Sequence, residues 1–81
     1  MKLYQYTGAE VKALRKAAKL NQGEFWGRFG VTQSGGSRYE SGRDIPDAMN
    51  ILLNIALGDE ATSASVVTWM RSKSSMSEGV S

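Results

Sequence analysis

Residues 22–40, QGEFWGRFGVTQSGGSRYE, decide the fold of this 81-residue chain. Asn21 is a favourable N-cap and Glu24 follows three residues later, a capping-box pattern that starts a helix at Gln22. Phe25 and Phe29 stand at i and i+4, which gives that helix one apolar edge. Gly30 follows the last apolar residue, where a helix stop with positive φ favours glycine. Thr32 then caps a second helix, whose first turn carries Gln33 and Ser34 and whose next turn carries Ser37 and Arg38. These side chains are short or forked, polar, and suited to base edges and phosphates. Tyr39 faces the opposite way, toward a core. The reading is two helices joined by a tight turn, the second presenting a polar face to DNA.

Working outward, Thr7 and Glu10 form another capping box and open helix 1 over about Gly8 to Ala18, with Val11, Leu14 and Ala18 as its inward stripe. Helix 2 is expected over about Gln22 to Phe29 and helix 3 over about Gln33 to Ser41, where Gly42 ends it. Pro46 suits the first turn of helix 4, which carries Met49, Leu52, Leu53, Ala56 and Leu57 on one face and closes at Gly58. A fifth helix, roughly Thr62 to Arg71, presents Val66, Trp69 and Met70. The tail from Ser72, SKSSMSEGVS, is polar and is expected to be disordered. The N-terminal KLYQY alternates like a short strand that either pairs with its copy in a dimer or lies over the core as an arm. The fold class is all-α: one five-helix domain over residues 1–71, with the helix-turn-helix at 22–41.

Composition limits the chemistry. The chain has no cysteine and no histidine, which excludes disulfides, thiol nucleophiles, a histidine base and the usual zinc ligands. No metal, cofactor or enzymatic activity is expected. No apolar run reaches membrane-span length and MKLYQYTG lacks a signal-peptide core, so a cytoplasmic location is expected. The net charge of +2 conceals an asymmetry. Residues 1–43 hold eight basic against three acidic side chains, whereas residues 44–81 hold two against five. The half with the polar helix is therefore the basic one, as phosphate binding requires.

The pieces LNQGEFW, RFGVTQS and SRYESGRDIP occur without insertion in an order that resembles the Cro/repressor-type (XRE-like) helix-turn-helix regulators of bacteria and phages. The resemblance runs from Val11 to about Leu57. It implies a compact repressor-like fold and base contacts from Gln33, Ser34, Ser37 and Arg38, with Arg38 suited to a bidentate contact with guanine. It implies phosphate contacts from Gln22, Thr32 and Arg43, and more distantly Lys19; Gln22 is also placed to brace Gln33. It further implies that Arg15 of helix 1 pairs with Glu40 at the end of helix 3. Two positions depart from the pattern: Trp26 replaces a small residue and Gly36 replaces a branched aliphatic, so the two are expected to face each other as one exchange of volume.

One recognition helix reads too few base pairs for a genome, so a two-fold dimer on palindromic half-sites is expected. Ile51 and Ile55 widen the apolar surface of helix 4 beyond one face, and with Val66, Trp69 and Met70 they form the expected dimer contact. The expected function is a homodimeric repressor that occludes a promoter, the protein's own among the candidates. The alternative is the antitoxin of a toxin–antitoxin pair, binding a toxin protein through its acidic half. No small-molecule ligand is expected.

Overall fold

The structure, a computed structural model, describes residues 3–72. It contains five helices: α1 (Gly8–Ala17), α2 (Gln22–Gly27), α3 (Gln33–Glu40), α4 (Asp47–Leu57) and α5 (Glu60–Arg71). Among the described residues there is no strand, and residues 3–7 run as irregular chain rather than the β-segment their alternation suggested. The expected tail, apart from Ser72, lies outside the described residues.

Local chemistry explains four of the five helix starts. Thr7 accepts from the Glu10 N–H while Glu10 reaches back to the Thr7 N–H, and Asn21 with Glu24 repeats the device at α2. Thr32 accepts from the Gly35 N–H at α3. Asp59 accepts from the Thr62 N–H at 2.7 Å, which starts α5 two residues before the position expected from its apolar residues. That hydrogen bond favours the charged form and holds the Asp59 carboxyl below its ordinary pKa.

Three helix ends share one geometry. Lys19, Gly30 and Gly42 have positive φ, and the N–H of the residue after each closes a wide turn. Those bonds are Leu20 N–H to Arg15 O, Val31 N–H to Trp26 O and Arg43 N–H to Arg38 O. The left-handed residue reverses the chain while still satisfying terminal carbonyls. Gly30 adopts φ 73° in the turn between α2 and α3, where a β-carbon would be strained.

The chain divides into two compact units. In residues 5–50, α3 packs against both α1 and α2, and Val11, Phe25 and Trp26 are buried. Phe25, Trp26 and Phe29 form an aromatic cluster with ring centroids 5.1–5.9 Å apart. The start of α1 is pressed against the end of α3, where a β-carbon at Gly8 would collide with the Tyr39 carbonyl. Leu14 does not join this core: it is exposed, as is Ala18, because the inward turn of α1 is occupied by Arg15. Asn50, also buried, accepts the Tyr6 N–H at 3.0 Å.

The other unit joins the first residues of the chain to Ile51 onward. Leu53 and Val66 are its fully buried apolar residues. Asn54 is buried too, and its amide takes both polar groups of one residue's backbone, accepting the Tyr4 N–H and donating to the Tyr4 carbonyl. The Ser63 hydroxyl donates to the Ile55 carbonyl at 2.6 Å and so ties α5 to α4. Leu52, expected inside, is 40% exposed. A hydropathy reading rotates α4 wrongly because two of its inward positions are asparagines that satisfy backbone groups of the N-terminal segment.

Candidate nucleic-acid interface

The side of α3 away from the core forms the candidate interface. Gln33, Ser34 and Arg38 are exposed and Ser37 is half-buried. Together with Gln22 they line one open depression of about 460 Å³. The four base-contact candidates are therefore brought onto one surface. Thr32, Lys19 and Arg43 are exposed but do not line that depression. Thr32 caps α3, Lys19 is the left-handed residue at the end of α1, and Arg43 follows α3 with its N–H held by the Arg38 carbonyl. Arg43 instead borders a second concavity with Thr7, Gly8 and Ala9 at the start of α1.

Behind α3 lies a buried polar centre. Arg15 Nε donates to Glu40 Oε2 at 2.8 Å and a second guanidinium nitrogen donates to Oε1 at 3.0 Å, a bidentate pair. The remaining guanidinium nitrogen donates to the Leu20 carbonyl, which fixes the turn between α1 and α2. Glu40 also accepts Trp26 Nε1 on Oε2 at 2.8 Å and Gln22 Nε2 on Oε1 at 3.1 Å. One carboxylate thus holds α1, α2 and α3 through four donors. Burial alone would push the Glu40 carboxyl up, but the hydrogen bonds from Arg15, Trp26 and Gln22 with the adjacent guanidinium charge together hold it below its ordinary value. The Arg15 guanidinium is correspondingly raised, chiefly by its hydrogen bond to Glu40. Among the described residues no buried side-chain polar atom lacks a partner.

Gln22, expected to reach a phosphate or to brace Gln33, donates its amide to Glu40. That bond commits one of the two N–H groups a phosphate contact would use. Trp26 is fully buried over Gly36, where an added β-carbon would collide with Trp26 Cδ1 and Cγ. The indole N–H bond to Glu40 had a sequence signal, since a buried tryptophan needs an acceptor. Which acceptor it finds depends on the angle between α2 and α3.

Residues 12–56, more than half of the chain, match the family described as RsaL-like HTH domain. The chain belongs to that family. No curated protein and no solved structure gives a significant match. A helix-turn-helix domain of this family makes DNA the partner, and α2 and α3 are the two helices concerned. No helix among the described residues is long and apolar enough to cross a membrane.

The dimer candidates do not share one environment. Val66 is only 1% exposed within the single chain, so its expected role as a dimer contact is corrected: it is a core residue with no surface left to offer. Ile51, Ile55 and Trp69 are half-buried along α4 and α5, and Met70 is 41% exposed. Leu52, expected inside, and Val67 are also exposed apolar side chains of this unit.

Proposed function

We propose that this chain is a sequence-specific regulator of transcription that binds double-stranded DNA as a homodimer and represses by occluding a promoter, in the manner of Cro-like repressors. The observation that carries the reading is the depression lined by Gln22, Gln33, Ser34, Ser37 and Arg38 on a helix braced from behind by Glu40. Bases are read by amide, hydroxyl and guanidinium groups held in fixed relative positions, and a helix is the element that enters the major groove. In this role α3 lies in the groove. Gln33, Ser34, Ser37 and Arg38 meet base edges, while Arg43, Thr32, Lys19 and the second amide N–H of Gln22 meet phosphates. The basic balance of residues 1–43 supplies the attraction to the duplex. Two copies double the number of bases read, and the exposed Leu52, Val67 and Met70 with Ile51, Ile55 and Trp69 supply apolar surface for association.

Selection of the purified protein on random-sequence duplexes tests this directly. A palindromic consensus is expected, with half-site centres about one helical turn apart. Binding to it should weaken steeply with salt, because each phosphate contact releases counterions. Failure to enrich any sequence, with a flat salt response, removes the proposal.

A further inference from the structure

We infer that Trp26 is a positioning residue for sequence discrimination: it sets the roll of α3 and, through Glu40, fixes Gln22 on the wall of the reading surface. The inference rests on the DNA-reading function proposed above and extends it to a residue that touches no DNA.

Trp26 meets the inner side of α3 at three places. Its ring covers Gly36 so closely that no β-carbon fits between them. Its ring centroid is 5.4 Å from that of Tyr39. Its N–H ends on Glu40 Oε2 at 2.8 Å. Two of these contacts limit how near α3 can approach, and the hydrogen bond is directional, so together they determine the rotation of α3 about its own axis. A helix with side chains has a radius of about 5–6 Å, so a roll of about 20° moves an outer side-chain tip by about 2 Å. That displacement exceeds the tolerance of a hydrogen bond to a base.

The same carboxylate carries the constraint to the surface. Oε1 of Glu40 receives Gln22 Nε2 at 3.1 Å, and Gln22 lines the depression with Gln33, Ser34, Ser37 and Arg38. Without the indole N–H, Oε2 keeps only Arg15 Nε among these partners. The bidentate pair with Arg15 of α1 remains, but the bond from Trp26 that ties the carboxylate to α2 is lost, so Oε1 is no longer held in register with Gln22 from that helix. Slack at Gln22, which meets a phosphate, is tolerated; the roll of α3 displaces Gln33, Ser34, Ser37 and Arg38, and base contacts do not tolerate that displacement.

The test compares wild type with a chemically synthesised chain carrying benzothienylalanine at position 26, which keeps the ring shape and lacks the donor. Trp26→Phe provides a second, recombinant variant. The duplex most enriched by wild type in random selection and a scrambled duplex of equal length are titrated by fluorescence anisotropy, well below the melting temperature of each protein. Circular dichroism gives the folded fraction in the same samples. The expected result is a loss of about ten-fold in affinity for the enriched duplex, the size of one good base contact, with affinity for the scrambled duplex unchanged within about two-fold. A merely structural tryptophan would leave the ratio of the two affinities at its wild-type value once the folded fraction is counted, and that result overturns the inference. Equal weakening on both duplexes overturns it as well. If wild type enriches no sequence, the proposed function falls and this inference with it; if wild type discriminates and the isostere discriminates equally, the inference alone falls.

Discussion

The contact of Trp26 with Gly36 makes a prediction in which the same substitution changes sign with its background. In the wild-type chain, Gly36→Ala places a β-carbon 2.8 Å from Nε1 of a fully buried indole and closer still to its Cγ and Cδ1. Overpacking of this kind costs about 1–3 kcal/mol, and because the ring is enclosed the upper end is expected. The substitution also removes a mid-helix glycine, a gain of about 1 kcal/mol. The net effect is a loss of about 1–2 kcal/mol. Trp26→Ala on its own costs about 3–5 kcal/mol from the cavity, and it strips a donor from a buried carboxylate. Against a total stability of about 4–12 kcal/mol for a chain of this length, that variant stands near the edge of folding. In the Trp26→Ala background the overlap no longer exists, so Gly36→Ala retains only its helix gain and becomes stabilising by about 1 kcal/mol. The helix term is common to both backgrounds and cancels, so the coupling energy equals the overpacking term, about 2–3 kcal/mol. Urea unfolding of the four proteins followed by far-ultraviolet circular dichroism measures it, with sucrose added equally to all four if the Trp26→Ala chain is partly unfolded. A Gly36→Ala effect of the same sign and size in both backgrounds would refute the reasoning, since it would mean that the two residues do not compete for one volume.

Glu40 has a depressed pKa in the folded state, so its contribution to stability is complete above the unfolded value of 4.5 and is lost as pH falls through the lower folded value. Glu40→Gln should therefore be destabilised at neutral pH and show a flatter stability profile below about pH 4.5 than wild type; parallel profiles would contradict the network described. Arg38→Ala should relax preference at one base position and cost about 1–3 kcal/mol on the selected duplex, whereas Arg43→Ala should weaken all duplexes about equally. Loss of a single sequence preference on Arg43→Ala would exchange the two assignments. Met70→Asp puts a charge on an exposed apolar position of α5 and should convert the proposed dimer to monomer in sedimentation velocity without lowering the melting temperature of the monomer. An unaltered dimer would place the contact elsewhere.

Helix existence, helix order and the turn at Gly30 follow from the residues alone, because capping and left-handed stops are made by side chains within a few positions of the backbone they serve. Thr7, Asn21 and Thr32 cap the helices that their positions predict. The exchange of volumes at Trp26 and Gly36 was legible for a related reason: both residues depart from the pattern that the rest of the stretch keeps, and in opposite directions of size. What only the tertiary structure decided are the partners of polar groups far apart in the chain. Asn50 and Asn54 look like surface residues of an amphipathic helix, yet they are buried because the Tyr6 and Tyr4 backbone needs hydrogen bonds there. The face of α4 turned inward, and with it the exposure of Leu52, follows from that requirement rather than from hydropathy. Val66 likewise reads as one more apolar residue of α5, and only packing decides that it belongs to the core while Met70 does not. Glu40 gathers four donors from positions 15, 22 and 26, and no local rule chooses among the acceptors within reach of Gln22. A hydrogen bond between distant residues depends on a distance held within a few tenths of an ångström, and only the packing angles of the helices set that distance.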